Sequence, residues 1–455
     1  MTLVNKHEHF DSRLGFILAS AGSAIGLGAL WEFPYMTGQA GGGAFFITFL
    51  MFTFLVGLPI LLSEYIIGRS TQKDAIRSFK HYSPKKPWHV VGRWGIVGSI
   101  ILLSFYSVVG GWIIIYLFKT ISGELGSLKS SEFGKVFANT SANPLLALGA
   151  QIIFLLVTIL VVARGIRHGI EKASKVLMPT LFFLLIIVMI NSLLLDGAMK
   201  GVSYFLSFNF SELTAESILI ALGQSFFLLS VGFSNQITYS SYLSKKESLV
   251  QSATTVVLMN ILVALLGGLS IFPAVFSYNI EPEVGPGLLF IALPAAFNQM
   301  PFGTFFLILF LLLFLFAALT SAFPLLEVVV AAVTKGHLAK RKKWAWIIGI
   351  IIFIVGIPSA LSFGVLEDIE IFGQTIFDSA NYLVSSIMLP IGALLIALFI
   401  HFKIPREILS REFTTGLSNG KKLFVVWLFI IKYVAPIAIL LAFLHVAGVF
   451  SIFNL

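Results

Sequence analysis

The sequence contains no cysteine and few charged residues. Among its 455 residues, Asp, Glu, Lys and Arg together make up 11%. The missing thiols exclude disulfides, thiolate metal sites and cysteine nucleophiles. A soluble domain has about 25% charged residues, so the low charge also excludes an ordinary water-soluble fold. The classes that remain are those of proteins embedded in a lipid bilayer.

Long apolar runs dominate what is present, and hydrophobic residues make up 58% of the chain. A run of about 20 apolar residues can cross a bilayer as a helix, and in lipid the backbone must satisfy its own hydrogen bonds. We therefore predict an all-α integral membrane protein with one domain, residues 1–455. Its eleven predicted transmembrane helices are 14–38, 43–68, 91–118, 145–163, 173–195, 215–242, 249–277, 303–334, 343–362, 374–402 and 422–448.

The Lys and Arg residues predict the orientation of these spans. Most of them fall in alternate connections, such as 69–93 and 403–422. Positive residues collect on the cytoplasmic side, so we expect a multi-pass protein of the cell (plasma or inner) membrane with a cytoplasmic N-terminus and an extracellular C-terminus. This bias accounts for the net charge of +9, and we expect no nucleic-acid partner. The pattern carries no information on oligomeric state.

Two spans carry helix-breaking sequence near their middle. Residues 21–28 of the first span include three glycines, and residues 230–235 of the sixth read SVGFSN. Glycine destabilises a helix interior by about 1 kcal/mol. Small residues also serve close helix packing. However, breaks at corresponding places in two halves are the best sequence pointer to a transporter binding site.

Four motifs resemble those of the neurotransmitter:sodium symporter family. They are GSAIGLGALWEFPY at 22–35 with GGGAF at 41–45, SFYSVVGGW at 104–112, QSFFLLSVGF at 224–233 with TYSSY at 238–242, and AALTS at 317–321. The resemblance, to a bacterial member, implies a LeuT-like 5+5 inverted repeat with helices 1 and 6 broken at mid-membrane. The repeats would be about 14–195 and 215–402, with an extra helix at about 422–448.

The resemblance also implies which residues bind a small-molecule substrate. The amides of Leu27 and Gly28 and the Tyr106 hydroxyl would hold a carboxylate. An amine would bind the carbonyls of Ala24, Phe227 and Leu228 and the Ser230 hydroxyl. Phe233 would also cover the pocket as an aromatic lid. The side-chain pocket would be lined by Leu102, Phe227, Phe233, Ser321, Ala322 and Leu325.

A sodium ion is implied at the second sodium site of the family. Its ligands would be the carbonyls of Gly22, Ile25 and Ala317 and the hydroxyls of Thr320 and Ser321. The alternative is that both hydroxyls bond to their own helix backbone. Gly169 and Pro179 match a family pattern in which the fifth helix unwinds as a hinge, and proline weakens a helix interior.

The chain departs from the family at its first sodium site. Ala29 and Leu228 stand where the family supplies oxygen ligands, while Asn260 is retained. An ion there would be largely desolvated and unpaired, which costs several kcal/mol. We therefore predict no sodium at this site. Leu228 and Ala264 also lack the oxygen atoms that chloride dependence or its acidic substitute requires, so we predict no chloride dependence.

The outer gate is altered as well. The family's Arg–Asp pair is replaced here by Glu32 and Asn381. Ionisable residues inside membrane spans are functional candidates by default. Glu32 has three possible roles: to carry a proton, to attract a cationic solute, or to stand as a hydrated residue without a special role. Glu327 is a lesser candidate for proton coupling.

These observations lead to an expected function. We expect a secondary active transporter of a small amino-acid-like or amine-bearing hydrophobic solute, working by alternating access. Coupling would use sodium at the second site, with a proton as the alternative. One rival is a proton-linked transporter or exporter of hydrophobic or cationic compounds, and another is a non-transporting solute sensor. The sequence has no arrangement of catalytic side chains at a shared depth, so we expect no enzyme.

Overall fold

In a computed structural model of the chain, the described residues are 8–278, 280 and 287–446. Within these ranges the protein is helical, and one isolated bridge between Ile371 and Gln374 is the only extended pairing. The expected all-α class is therefore confirmed.

The first part of the chain forms ten helices. They are α1 Arg13–Ala24, α2 Phe33–Gln39, α3 Gly42–Phe52, α4 Leu58–Thr71, α5 Ala75–Tyr82, α6 His89–Ile121, α7 Phe133–Ala142, α8 Pro144–Ala163, α9 Lys172–Leu193 and α10 Ala198–Leu206.

The second part continues with eleven more. They are α11 Ala215–Phe227, α12 Asn235–Ser241, α13 Leu249–Ser277, α14 Leu293–Gln299, α15 Gly303–Thr334, α16 Leu338–Leu361, α17 Ile376–Tyr382, α18 Leu389–Lys403, α19 Arg406–Thr414, α20 Gly420–Phe429 and α21 Ala435–Val446.

Nine continuous stretches of the described chain are long and apolar enough to cross a membrane. A tenth is the pair formed by Arg13–Ala24 and Gly28–Gln39, which is bent by 71°. The predicted sixth span consists of α11 and α12, and each is too short to cross alone. The predicted count of eleven is therefore not reached by continuous helices, because two of the predicted spans are interrupted.

Short π-helical turns interrupt several spans just before a proline. Five of these turns end two residues before a proline. In chain order the turns are Gly28–Glu32, Thr53–Gly57, Leu288–Ala292, Leu383–Met388 and Ile430–Val434. The prolines that follow them are Pro34, Pro59, Pro294, Pro390 and Pro436. Proline has no N–H to donate and its ring clashes with the carbonyl four residues earlier. A wider turn relieves that clash while the helix continues.

The interrupted spans lie at the centre of the bundle. Helix α1 packs against α9, α13, α15 and α12, so it is enclosed by helices from both halves of the chain. Most residues of α1 are buried, including Phe16, Ala21 and Gly22. Backbone freed by the breaks therefore faces protein or a cavity, as a membrane protein requires. The internal repeat boundaries remain a prediction.

A candidate binding site between two broken helices

The first break lies between α1 and the π-turn that leads into α2. Helix α1 ends at Ala24, and the N–H of Leu27 donates to the Tyr106 hydroxyl at 3.3 Å. A Cβ on Gly26 would lie 2.8 Å from Ser321 Oγ and 3.2 Å from the Tyr106 hydroxyl oxygen. Only glycine allows this approach, so the break brings its backbone to side chains of α6 and α15.

The second break separates α11 from α12 and contains three residues with left-handed backbone. They are Ser230 at φ 50°, Gly232 at φ 105° and Ser234 at φ 63°. The Ser230 hydroxyl donates to the Ser23 carbonyl at 2.8 Å, which joins the two breaks directly. Backbone strain of this kind collects at functional sites.

A cavity of about 290 Å³ lies where the two breaks meet. Eleven of the twelve predicted substrate residues line it: Ala24, Leu27, Gly28, Leu102, Tyr106, Phe227, Leu228, Ser230, Phe233, Ser321 and Leu325. The twelfth, Ala322, is buried within α15 and is not in the lining. The structure therefore gathers residues from distant parts of the sequence around one apolar cavity.

Several lining residues were not foreseen from the sequence. They include Tyr35, Met36, Phe105, Val109, Asn235, Phe377 and Asp378. Asp378 precedes Asn381 by one helical turn, so both side chains lie on the same face of α17. That spacing could have identified Asp378 from the sequence. The aromatic lining residues could not be singled out, because the chain has 45 phenylalanines.

The predicted second sodium site is partly assembled. The Ser321 hydroxyl donates to the Gly22 carbonyl at 2.9 Å, so these two oxygen atoms lie together across α1 and α15. The Thr320 hydroxyl donates to the carbonyls of Phe316 and Ala317 at 2.9 and 3.1 Å. Thr320 thus bonds to its own helix, the alternative noted above, whereas Ser321 bonds across the helices.

The chemistry of this site is neutral. A Cβ on Gly22 would lie 2.9 Å from Thr320 Cβ and 3.2 Å from Met178 Sδ, so α1, α9 and α15 meet closely here. Ile25, the remaining predicted carbonyl ligand, is fully buried beside it. Among the described residues, no group of three or more His, Asp and Glu is placed to hold a metal ion. Carbonyl and hydroxyl oxygens alone fit a weakly held monovalent cation better than a divalent one.

The predicted first sodium site is filled by apolar side chains. Ala29, Leu228 and Ala264 belong to one buried cluster together with Phe33, Phe45, Phe46, Phe49 and Ala221. The Asn260 amide nitrogen donates to the Leu228 carbonyl at 2.9 Å. Its amide oxygen has no partner in the described part of the chain. An oxygen cage for an ion is therefore missing from these side chains.

The two predicted outer-gate residues face the same cavity but have separate partners. The Glu32 carboxylate accepts from the Gln224 amide at 3.3 Å. The Asn381 amide oxygen accepts from the Ser385 hydroxyl at 3.1 Å. Glu32 thus remains available to a solute in the cavity.

Glu327 lies away from the cavity in a buried ion pair. Its carboxylate bonds to the Arg341 guanidinium and accepts from the Tyr242 hydroxyl at 2.8 Å. Arg341 also donates to Glu8 at 3.0 Å and to the Val162 carbonyl at 2.9 Å. This network ties the start of the described chain to α15 and α16, which favours a structural lock over a proton relay.

The predicted hinge lies beside the same end of the chain. Gly169 is part of the π-turn Ile166–Glu171, and Pro179 lies inside α9. A Cβ on Gly169 would lie 2.0 Å from the Val161 carbonyl oxygen. The buried Glu171 carboxylate accepts from the N–H of Asp11 at 2.8 Å, so the hinge contacts the segment before α1.

Comparisons with known proteins agree with this architecture. The model of the sodium:neurotransmitter symporter family matches residues 7–135 and 144–453. The sodium-dependent transporter YhdH of Bacillus subtilis is 51% identical over 98% of this chain and 99% of its own length. A sodium-dependent transporter of Haemophilus influenzae is 34% identical over 98% and 99% of the two chains.

A solved structure is similar over nearly the whole chain. The crystal structure of MhsT in complex with L-phenylalanine superposes with a TM-score of 0.89 and 43% identity. It covers 96% of this chain and 99% of that one. The fold is therefore the LeuT-type fold implied by the motifs. The chain belongs to the sodium:neurotransmitter symporter family, whose members are membrane transporters rather than enzymes.

Proposed function

We propose that this protein is a secondary active transporter that moves a small amino-acid-like or amine-bearing hydrophobic solute by alternating access. The observation that carries the proposal is the cavity between the two breaks, which is lined mostly by apolar or small residues and also by Tyr106, Ser230 and Ser321. A volume near 290 Å³ lies at the small end of ligand pockets and suits a molecule of amino-acid size.

The polar groups of the cavity support an amine or carboxylate ligand. The N–H of Leu27 and the Tyr106 hydroxyl lie together at the first break, where the N–H donates to the hydroxyl, and the Ser230 hydroxyl lies beside the Ser23 carbonyl. Ends of broken helices offer N–H donors to anions and carbonyl acceptors to cations. MhsT, at 43% identity, was solved with L-phenylalanine. An apolar amino acid is therefore the first ligand to test.

We infer that one sodium ion is co-transported, bound by Gly22, Ile25, Ala317, Thr320 and Ser321. The close pairing of Gly22 and Ser321 across two helices supports this assignment. The apolar cluster around Leu228 supports the absence of a first-site sodium and of chloride dependence. The curated relatives named as sodium-dependent transporters agree with sodium use.

We also infer that the N-terminus is cytoplasmic, because Lys and Arg concentrate in the connections expected on the same side as it, such as 69–93 and 403–422. At that end of the molecule, Phe10 packs on Phe16, Tyr239 and Tyr242, and its N–H donates to the Tyr242 carbonyl at 3.1 Å. The opposite end leaves Asp378 and Asn381 exposed above the cavity. The structure thus suits a state that is closed on the cytoplasmic side.

Two measurements test the proposal. The purified protein is screened with amino acids and amines for thermal stabilisation, in sodium and then in potassium, because a ligand that binds the folded state raises its stability. Uptake of the best ligand into proteoliposomes with an inward sodium gradient follows. Gradient-driven uptake supports the transporter, whereas binding without uptake would identify a solute sensor instead.

A further inference from the structure

The acidic residue Glu32 lies at the outer part of the cavity, in the π-turn that follows the first break. Its carboxylate accepts one hydrogen bond, from the Gln224 amide at 3.3 Å. Gln224 is buried, with 7% of its surface exposed, and its amide oxygen has no partner in the described part of the chain. The Gln224 amide therefore gives Glu32 its one donor, and its own oxygen remains a second acceptor without a donor.

A second carboxylate faces the same space. Asp378 lines the cavity from the first turn of α17, where one oxygen accepts from the Thr375 hydroxyl at 2.7 Å. The residues that line the cavity include these two acids and no Lys, Arg or His. Asp378 is exposed, but Glu32 is half-buried, and a negative charge in a partly desolvated space without a cationic partner is unfavourable. The cavity is therefore more favourable for a ligand that brings positive charge.

Aromatic rings complete the surroundings of the acids. Phe105 and Phe377 both line the cavity and pack edge to face, with ring centroids 5.5 Å apart. Ring faces attract ammonium groups, and carboxylates accept their hydrogen bonds. A ligand amine in the cavity would therefore meet rings and carboxylates that attract it. A carboxylate on the ligand would be repelled by both Glu32 and Asp378.

We propose that Glu32 is a specificity-determining residue that makes this cavity select amine solutes of net positive charge over zwitterionic amino acids, with Asp378 as the outer member of the pair. The inference deepens the proposed function and rests on it, since it concerns the same cavity. It assigns the substrate class as primary amines with an apolar body and without a carboxylate.

The test compares two ligands that share a ring and an amine. Phenethylamine is a cation at neutral pH, and L-phenylalanine is a zwitterion. Their dissociation constants are measured by calorimetry on the purified full-length protein and on Glu32→Gln, at one fixed sodium concentration. The ratio of the two constants cancels the ligand contacts that the variant leaves unchanged, which isolates the effect of the charge.

We expect wild-type protein to prefer phenethylamine, and Glu32→Gln to lower that preference by at least about tenfold. Glu32→Asp keeps the charge and should keep the preference. Asp378→Asn should reduce it by a smaller factor. Glu370→Gln removes an exposed acid outside the cavity lining and should leave the ratio unchanged. Thermal unfolding of each unliganded variant checks that it is folded. If Glu32→Gln does not fold, Asp378→Asn takes its place as the test variant.

Three outcomes would overturn the proposal: the same ratio in wild type and Glu32→Gln, a wild-type protein that binds only the zwitterion, or one that binds no primary amine. A sodium ion held by Glu32 would appear as lost sodium stabilisation in Glu32→Gln with an unchanged ligand ratio, which also overturns it. Failure of the proposed function is separate, because it would appear as amine binding without uptake into proteoliposomes.

Discussion

The buried carboxylate of Glu64 accepts a hydrogen bond at 2.6 Å from the N–H of Gly232, inside the break between α11 and α12. Its other oxygen accepts from the N–H of Ile237 at 3.3 Å, in the first turn of α12. One side chain of α4 therefore satisfies backbone donors that the break leaves without helical partners.

Glu64→Gln should destabilise the protein, because the amide offers one acceptor where the carboxylate offers two. Hydrogen bonds to a charged group contribute about 1.5–3 kcal/mol, so a loss of about that size is expected. Thermal unfolding in detergent measures it. Glu216→Gln, on the exposed first turn of α11, is the matched control and should have little effect. Equal unfolding temperatures for both variants would contradict this role for Glu64.

Removal of a hydroxyl from the second sodium site should weaken sodium binding. Ser321→Ala and Thr320→Val each lose one oxygen ligand, and we expect the sodium dissociation constant to rise by at least about tenfold, or about 1.4 kcal/mol. Sodium-dependent thermal stabilisation provides the measurement. Thr334→Val is the control, because its hydroxyl bonds to the Val330 carbonyl at the far end of the same helix. A similar loss in that variant would argue against a site at Ser321.

Sodium binding should be non-cooperative and independent of chloride. The proposed function has one sodium site, because an apolar cluster that contains Ala29, Leu228 and Ala264 occupies the other, so a sodium titration should give a Hill coefficient of about 1. Replacement of chloride by gluconate should leave the titration unchanged. A coefficient near 2 or a requirement for chloride would show that oxygen ligands outside this cluster hold a second ion.

Loss of the Glu327 charge should open the end of the molecule at which α1 begins. A buried ion pair that loses one partner is destabilised by up to about 3–5 kcal/mol. The loss is smaller here, because Arg341 keeps its pairing with Glu8. The chain has no cysteine, so Ser241→Cys can serve as a single reporter beside Arg341.

We expect Glu327→Gln to accelerate thiol labelling of that reporter by about tenfold. Glu367→Gln, an exposed acid between α16 and α17, is the control and should leave the labelling rate unchanged. Unchanged labelling in Glu327→Gln would mean that the ion pair does not hold this end closed.

The sequence predicted the breaks correctly because glycine marks them. Three glycines lie within residues 21–28, and α1 ends among them at Ala24. The left-handed conformations of Ser230 and Ser234 were not predictable, since serine rarely adopts them and their support comes from elsewhere in the fold. The sixth span was predicted to break within residues 230–235, and α11 and α12 lie on either side of that segment.

Local chemistry predicted individual residues of the site better than their partners. Glu32 was singled out because an acid in an apolar span is unusual. The role of Gln224 as its hydrogen-bond partner, 192 positions away, depends on how the π-turn Gly28–Glu32 lies against α11 and leaves no mark in either segment. Asp378 was overlooked for the same reason, although its spacing from Asn381 places both on one face of α17.

A first sodium site lost to the apolar cluster at Leu228, as proposed, would also limit how steeply a solute can be concentrated. Each sodium ion that enters down a tenfold gradient supplies about 1.4 kcal/mol, and its charge supplies about 2.3 kcal/mol more at 100 mV. A transporter coupled to one sodium instead of two therefore forgoes about 3.7 kcal/mol per cycle with a zwitterionic solute. A solute with one positive charge restores the electrical part of this driving force, because two charges again cross the membrane in each cycle.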